Sequence, residues 1–149
     1  MGSRSLLQQE VDEYRDFWRS RLRRLRCKSA SAKEIDALRK DQQLDLLPAA
    51  YEAFLLVAGR GYGDLWVGTT AFLPDLLGVR HSAEELFAEN QVESFLQPRD
   101  VVITMHQGYQ FLYLSGPGAD PPVFRSLEGA VGVQVSESFT SLIEVLLLD

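Results

Sequence analysis

The sequence predicts an α+β domain, and three observations carry the prediction. Apolar residues recur at helical spacing through most of the first hundred positions. The pattern changes to β-branched and aromatic runs at Val101, and a helical stripe returns after Ser136. At 149 residues the chain is expected to form one domain, 1–149, long enough to bury a core without metals or disulfides.

Residues 5–27 read as one amphipathic helix, because Leu7, Val11, Tyr14, Trp18, Leu22 and Leu25 follow steps of four and three. Acids stand near its start and arginines near its end, as the helix dipole favours. Ser31-Ala32-Lys33-Glu34 has the capping-box pattern that opens a second helix, carrying Ile35, Leu38 and Gln42 to about Gln43. Leu44 to Leu47 then leads extended into Pro48, since a residue before proline avoids the α region. Pro48 suits the first turn of a central helix, on which Tyr51, Phe54, Leu55 and Ala58 form one apolar stripe. Gly59, Gly61 and Gly63 are expected to supply positive-φ conformations that end this helix, and Leu65-Trp66-Val67 reads as a short strand.

Thr69 to Arg80 reads as irregular, broken by Pro74 and Gly78. Ser82-Ala83-Glu84-Glu85 is a second capping-box pattern, opening a helix towards Val92 or Phe95. Val101–Met105 and Tyr109–Leu114 read as strands joined by a two-residue Gln107-Gly108 hairpin. Val123–Arg125 and Val131–Val135 read as two more strands around a Glu128-Gly129 turn. Ser136 is the expected cap of a last helix bearing Phe139, Leu142, Ile143, Leu146 and Leu147.

Charge is unevenly placed. Residues 1–40 hold eleven of the fifteen basic residues and six of the twenty-one acids, a net +5; residues 41–149 carry −11. Such an acidic body attracts basic partners at range and repels nucleic acid. The run Arg19–Lys28 could form a nucleic-acid or acidic-surface patch, but it has no aromatic platform interleaved and reads more simply as a solvated face. The single cysteine, Cys27, excludes an intrachain disulfide and fits a reducing cytoplasm, and no apolar run is long enough for a membrane span. A thiol among arginines can be reactive, though an incidental helical cysteine is the commoner case.

The search for chemistry returns little. The GRGYG run Gly59–Gly63 follows a helix and precedes a strand, the reverse of a phosphate-binding loop. One cysteine and two distant histidines, His81 and His106, offer a poor ligand set for zinc, so no metal and no cofactor are expected. His106 beside Gln107 and Tyr109 reads as a turn histidine hydrogen-bonding locally rather than a catalytic base. Glu84, Glu85 and Glu89 read as capping and solvated acids rather than an acid/base pair. Trp66 and Tyr62 suit an interface or the core equally.

In the order helix, Leu47-Pro48-x-x-Tyr51-x-x-Phe54-Leu55, glycine turn, Trp66, the chain resembles the SUKH superfamily, which includes Smi/Knr-type fungal regulators and bacterial immunity proteins. The later series resembles a bacterial subgroup: His106-Gln107-Gly108-Tyr109-Gln110-Phe111, Pro121-Pro122-Val123-Phe124, Leu127-Glu128-Gly129 and Ser136-Glu137-Ser138-Phe139. The resemblance runs from about Ser31 to the C-terminus, a core of about 31–149, and leaves the helix at 5–27 as an addition. It departs at Ala58-Gly59-Arg60-Gly61, where relatives tend to have Asn-Gly-Gly.

The resemblance implies a curved, mainly antiparallel sheet flanked by helices. It also implies a cytoplasmic immunity protein, not an enzyme, that binds and neutralises a cognate protein toxin of a bacterial polymorphic toxin system, with nuclease or nucleic-acid deaminase as the expected toxin activities. The alternative it leaves is a non-catalytic regulatory or scaffolding module of the Smi/Knr type. The expected partner is basic; neither membrane nor nucleic acid is expected, and the oligomeric state is left open. From residue type and placement, the expected contact residues are Asp64, Trp66, Glu84, Glu85, Glu89, His106, Gln107, Tyr109 and Glu137.

Overall fold

The computed structural model describes residues 3–148 and has the α+β architecture that the sequence predicts. Helix α1 spans Ser3–Arg21, α2 Ala32–Asp41, α3 Ala49–Ala58, α4 Val79–Glu89 and α5 Phe139–Leu146. A two-stranded antiparallel pair joins β1 (Cys27–Lys28) to β2 (Gly61–Tyr62). A four-stranded antiparallel sheet runs in sequence order through β3 (Val101–His106), β4 (Gln110–Leu114), β5 (Val123–Leu127) and β6 (Val133–Ser136).

The core forms where α1 and α5 meet α3. Trp18 is fully buried, donates its indole N–H to the Ala50 carbonyl at 3.0 Å, and stands edge-on to Phe54 and Phe139. Tyr51 and Phe54 contact the Phe139 ring in the same manner, so Pro48-x-x-Tyr51-x-x-Phe54-Leu55 is the central packing face of the molecule. Such edge-to-face pairs add to burial through the ring quadrupoles. Val11, Trp18 and Leu22 join this one core, so α1 is integral to it. Against β4, Phe87 of α4 and Phe95 pack on Phe111, and Phe95 also meets Tyr113.

Edge strand β3 is closed by two devices. The side-chain amide of Gln42, 2% exposed, donates to the Val102 carbonyl at 2.7 Å and accepts from the Val102 N–H at 2.9 Å. Further along, Thr70 exchanges both backbone hydrogen bonds with Met105, each at 2.9 Å. Buried backbone groups must find partners, and here a side chain and an isolated bridge supply them.

Six expectations need correction. The first helix ends at Arg21, followed by a 3-10 turn at Arg24–Arg26, so Leu25 leaves the stripe and is 101% exposed. Gly59 has φ −65°, and glycine is needed there for space: a Cβ would stand 2.7 Å from the Ala30 Cβ, while Gly61 and Gly63 do have positive φ. Leu65–Val67 is a turn, with Trp66 in the left-handed region at φ 58°, and the short strand is Gly61–Tyr62. The fourth helix begins at Val79 behind left-handed Gly78, whose N–H donates to Asp41 Oδ2 at 2.7 Å, so Ser82 lies inside its first turns. The last helix is capped by Ser138, whose Oγ accepts from the Ser141 N–H, and the first hairpin loop has three residues, Gln107–Tyr109. The capping box at Ser31 forms as predicted, with both reciprocal bonds at 3.1 Å.

Candidate partner-binding surface

The hairpin between β3 and β4 turns at Gln107 and Gly108, both with positive φ (50° and 76°). This turn holds His106 and Tyr109 side by side, their rings edge-on at 5.8 Å. The His106 Nδ1 shares a 2.8 Å hydrogen bond with Thr69 Oγ1. That bond fastens the hairpin to the 63–69 turn, in which the Thr69 N–H donates to the Trp66 carbonyl at 2.9 Å. Trp66 is half-buried against Phe72, ring centroids 6.0 Å apart. The expected turn histidine is therefore anchored by a residue 37 positions away. Its partner is a hydroxyl, and its ring lies on an aromatic edge. This geometry presents a polar and aromatic surface.

The β5–β6 turn lies beside the first one. The Glu128 N–H donates to the Tyr109 carbonyl at 2.7 Å, and Gln110 pairs with Leu127 across the ladder. Gly129 in turn packs on the end of α4, where a Cβ would meet Val92 Cγ2 at 3.3 Å and Phe87 Cδ1 at 3.5 Å. One end of the molecule thus gathers His106, Gln107, Tyr109, the exposed carboxylate of Glu128 and the last turn of α4.

Glu85 and Glu89 are exposed at i, i+4 spacing on α4, so they share a helix face. Glu85 receives a 2.8 Å contact from His81 Nε2, and Glu84 accepts from Ser94 Oγ at 3.1 Å. With the helix starting at Val79, these acids lie beyond its first turn and do not cap it.

The remaining two expected contact residues stand elsewhere. Glu137 follows β6 at the Val123 end of the sheet, whereas the hairpin cluster is at the Leu127 end of β5. Asp64 is exposed and lines a hollow with Arg21, Arg23 and Arg26. Thr69 and Glu128 belong to the gathered surface and were not expected there, because only tertiary contacts bring their turns to the hairpin.

Cys27 is half-buried, and its Sγ contacts the Arg23 carbonyl at 3.4 Å. Burial pushes its thiol up, so the neighbouring arginines do not produce the depressed pKa that a reactive cysteine needs. Among the described residues no group of three His, Cys, Asp or Glu is arranged to hold a metal ion. No helix among them is long and apolar enough to cross a membrane.

The chain matches no protein-family model and no curated protein sequence.

Proposed function

We propose that this chain is an immunity protein of the SUKH type that binds a cognate basic toxin and blocks it by covering its working surface. One observation carries the reading: the aromatic and polar side chains of the hairpin stand beside the turn that bears the exposed Glu128, in a chain with an acidic excess. A toxin that grips a phosphate backbone is basic. An acidic protein meets such a groove with electrostatic steering, and aromatic residues such as Tyr109 and Trp66 supply anchoring area. The ordered Leu-Pro-x-x-Tyr and His-Gln-Gly-Tyr segments, on which the resemblance rests, fall respectively on the central packing helix and on the gathered surface.

The reading is tested by co-expression. The gene beside this one is expected to encode a larger protein with a C-terminal toxin domain, and this chain is expected to restore growth of cells that express that domain. Failure of both rescue and complex formation would contradict the proposal.

A further inference from the structure

We propose that the hollow enclosed by the end of α1, the 3-10 turn and the end of α5 binds a phosphomonoester that carries an apolar group. Arg21, Arg23 and Arg26 line this space of about 310 Å³. Their frame is fixed. The Arg23 N–H donates to the buried Tyr62 hydroxyl at 2.9 Å, the Arg26 N–H donates to the Arg23 carbonyl at 2.9 Å, and the Gly63 N–H donates to the Arg26 carbonyl at 3.0 Å. Arg21 is held by its guanidinium, 4.9 Å above the Phe17 ring. Gly63 leaves the room that Arg26 occupies, since a Cβ there would stand 3.3 Å from Arg26 Cδ and 3.4 Å from Nη1.

Charge is the second argument. The carboxylate nearest Arg21 is Glu144 at 3.9 Å, and among the described residues Arg23 and Arg26 make no ion pair, although Asp64 lines the same space. Arginines that line one hollow repel one another, and a bound anion relieves that repulsion.

The ligand class follows from the lining. One carboxylate satisfies one guanidinium fork, whereas a phosphate dianion offers oxygens to several. Leu65, Leu146 and Leu147 form an apolar wall, and the space is at the lower bound of small-molecule pockets, larger than phosphate alone requires. This site is separate from the hairpin surface and does not depend on the toxin reading.

Titration of the isotope-labelled protein at low salt, followed by NMR of the arginine Nε–H groups, tests the site. Phenyl phosphate, inorganic phosphate and benzoate are the separate probes. Phenyl phosphate is expected to give saturable shifts at Arg21, Arg23 and Arg26 and to bind roughly tenfold more tightly than either other probe. Arg23→Gln and Arg26→Gln are each expected to weaken it by about tenfold, with melting temperature reporting that the fold is kept. Arg125→Gln, at an exposed arginine of β5, is expected to leave binding unchanged. Absence of saturation, equal binding of benzoate, or an equal loss in Arg125→Gln would overturn the proposal.

Discussion

Gln42 shows what a single side chain does in this fold. Its amide serves as a length of strand for Val102, so truncation strands a buried N–H and a buried carbonyl at once. Gln42→Ala is expected to cost about 2–4 kcal/mol in chemical denaturation, against about 1 kcal/mol for an ordinary exposed hydrogen bond. In the sequence Gln42 reads only as the weak end of a helical stripe, because its partner lies 60 positions away. Gly132 makes the same point through space. A Cβ there would stand 2.6 Å from Tyr113 Cζ, and that tyrosine hydroxyl bonds the Gly132 backbone. Gly132→Ala is expected to destabilise by about 1–3 kcal/mol, through overpacking and displacement of that hydroxyl. Glu52 gives a pH signature. Burial raises its carboxyl above the ordinary carboxylate range, and Arg39 offsets only part of this. The folded state therefore holds that proton more tightly, and the Glu52 contribution falls as pH rises from the ordinary range through the raised folded value. Glu52→Gln is expected to raise the melting temperature at pH 7 and to flatten its decline between about pH 4 and pH 7.

At the scale of elements, α1 and β6 are the informative pair. The stripe on α1 is legible, and its Trp18 seals the packing of three helices. Trp18→Ala is expected to cost about 3–5 kcal/mol, measured by denaturant titration, as large aromatic truncations do. The end of α1 was not legible, because the helical spacing of Leu22 and Leu25 continues while the chain turns to pair Cys27 with Tyr62. The start of α4 was hidden in the same way. Gly78, in the left-handed region and tied to Asp41, sets the first turn before the Ser82 capping pattern is reached. Strand β6 is the far edge of the sheet, with its Val133 and Val135 exposed at 63% and 40% and Val131, just before it, at 75%. Unlike β3, it has no covering pair among the described backbone bonds. Val133→Lys is expected to change stability by less than about 0.5 kcal/mol and to reduce concentration-dependent light scattering.

Across the whole molecule, polarity of charge and convergence of loops define the proposed binding surface. The hairpin tip was legible because Gln107-Gly108 between two β runs is a local signal. Joining it to Glu128, Thr69 and α4 required the sheet order and the packing of Gly129, which leave no local mark. Asp64 illustrates the converse, since residue type alone conceals that it stands among three arginines. If the acidic end steers a basic toxin, reversing Glu85, Glu89 and Glu128 to lysine acts on association more than on dissociation. The most direct test measures association of the purified chain with the toxin domain that the proposed function expects from the adjacent gene, at low and at high salt. The account predicts a one-to-one complex whose association rate falls steeply with salt, by about tenfold or more, and falls similarly in the triple reversal at low salt. A rate indifferent to both salt and charge reversal, or no complex at all, would contradict it.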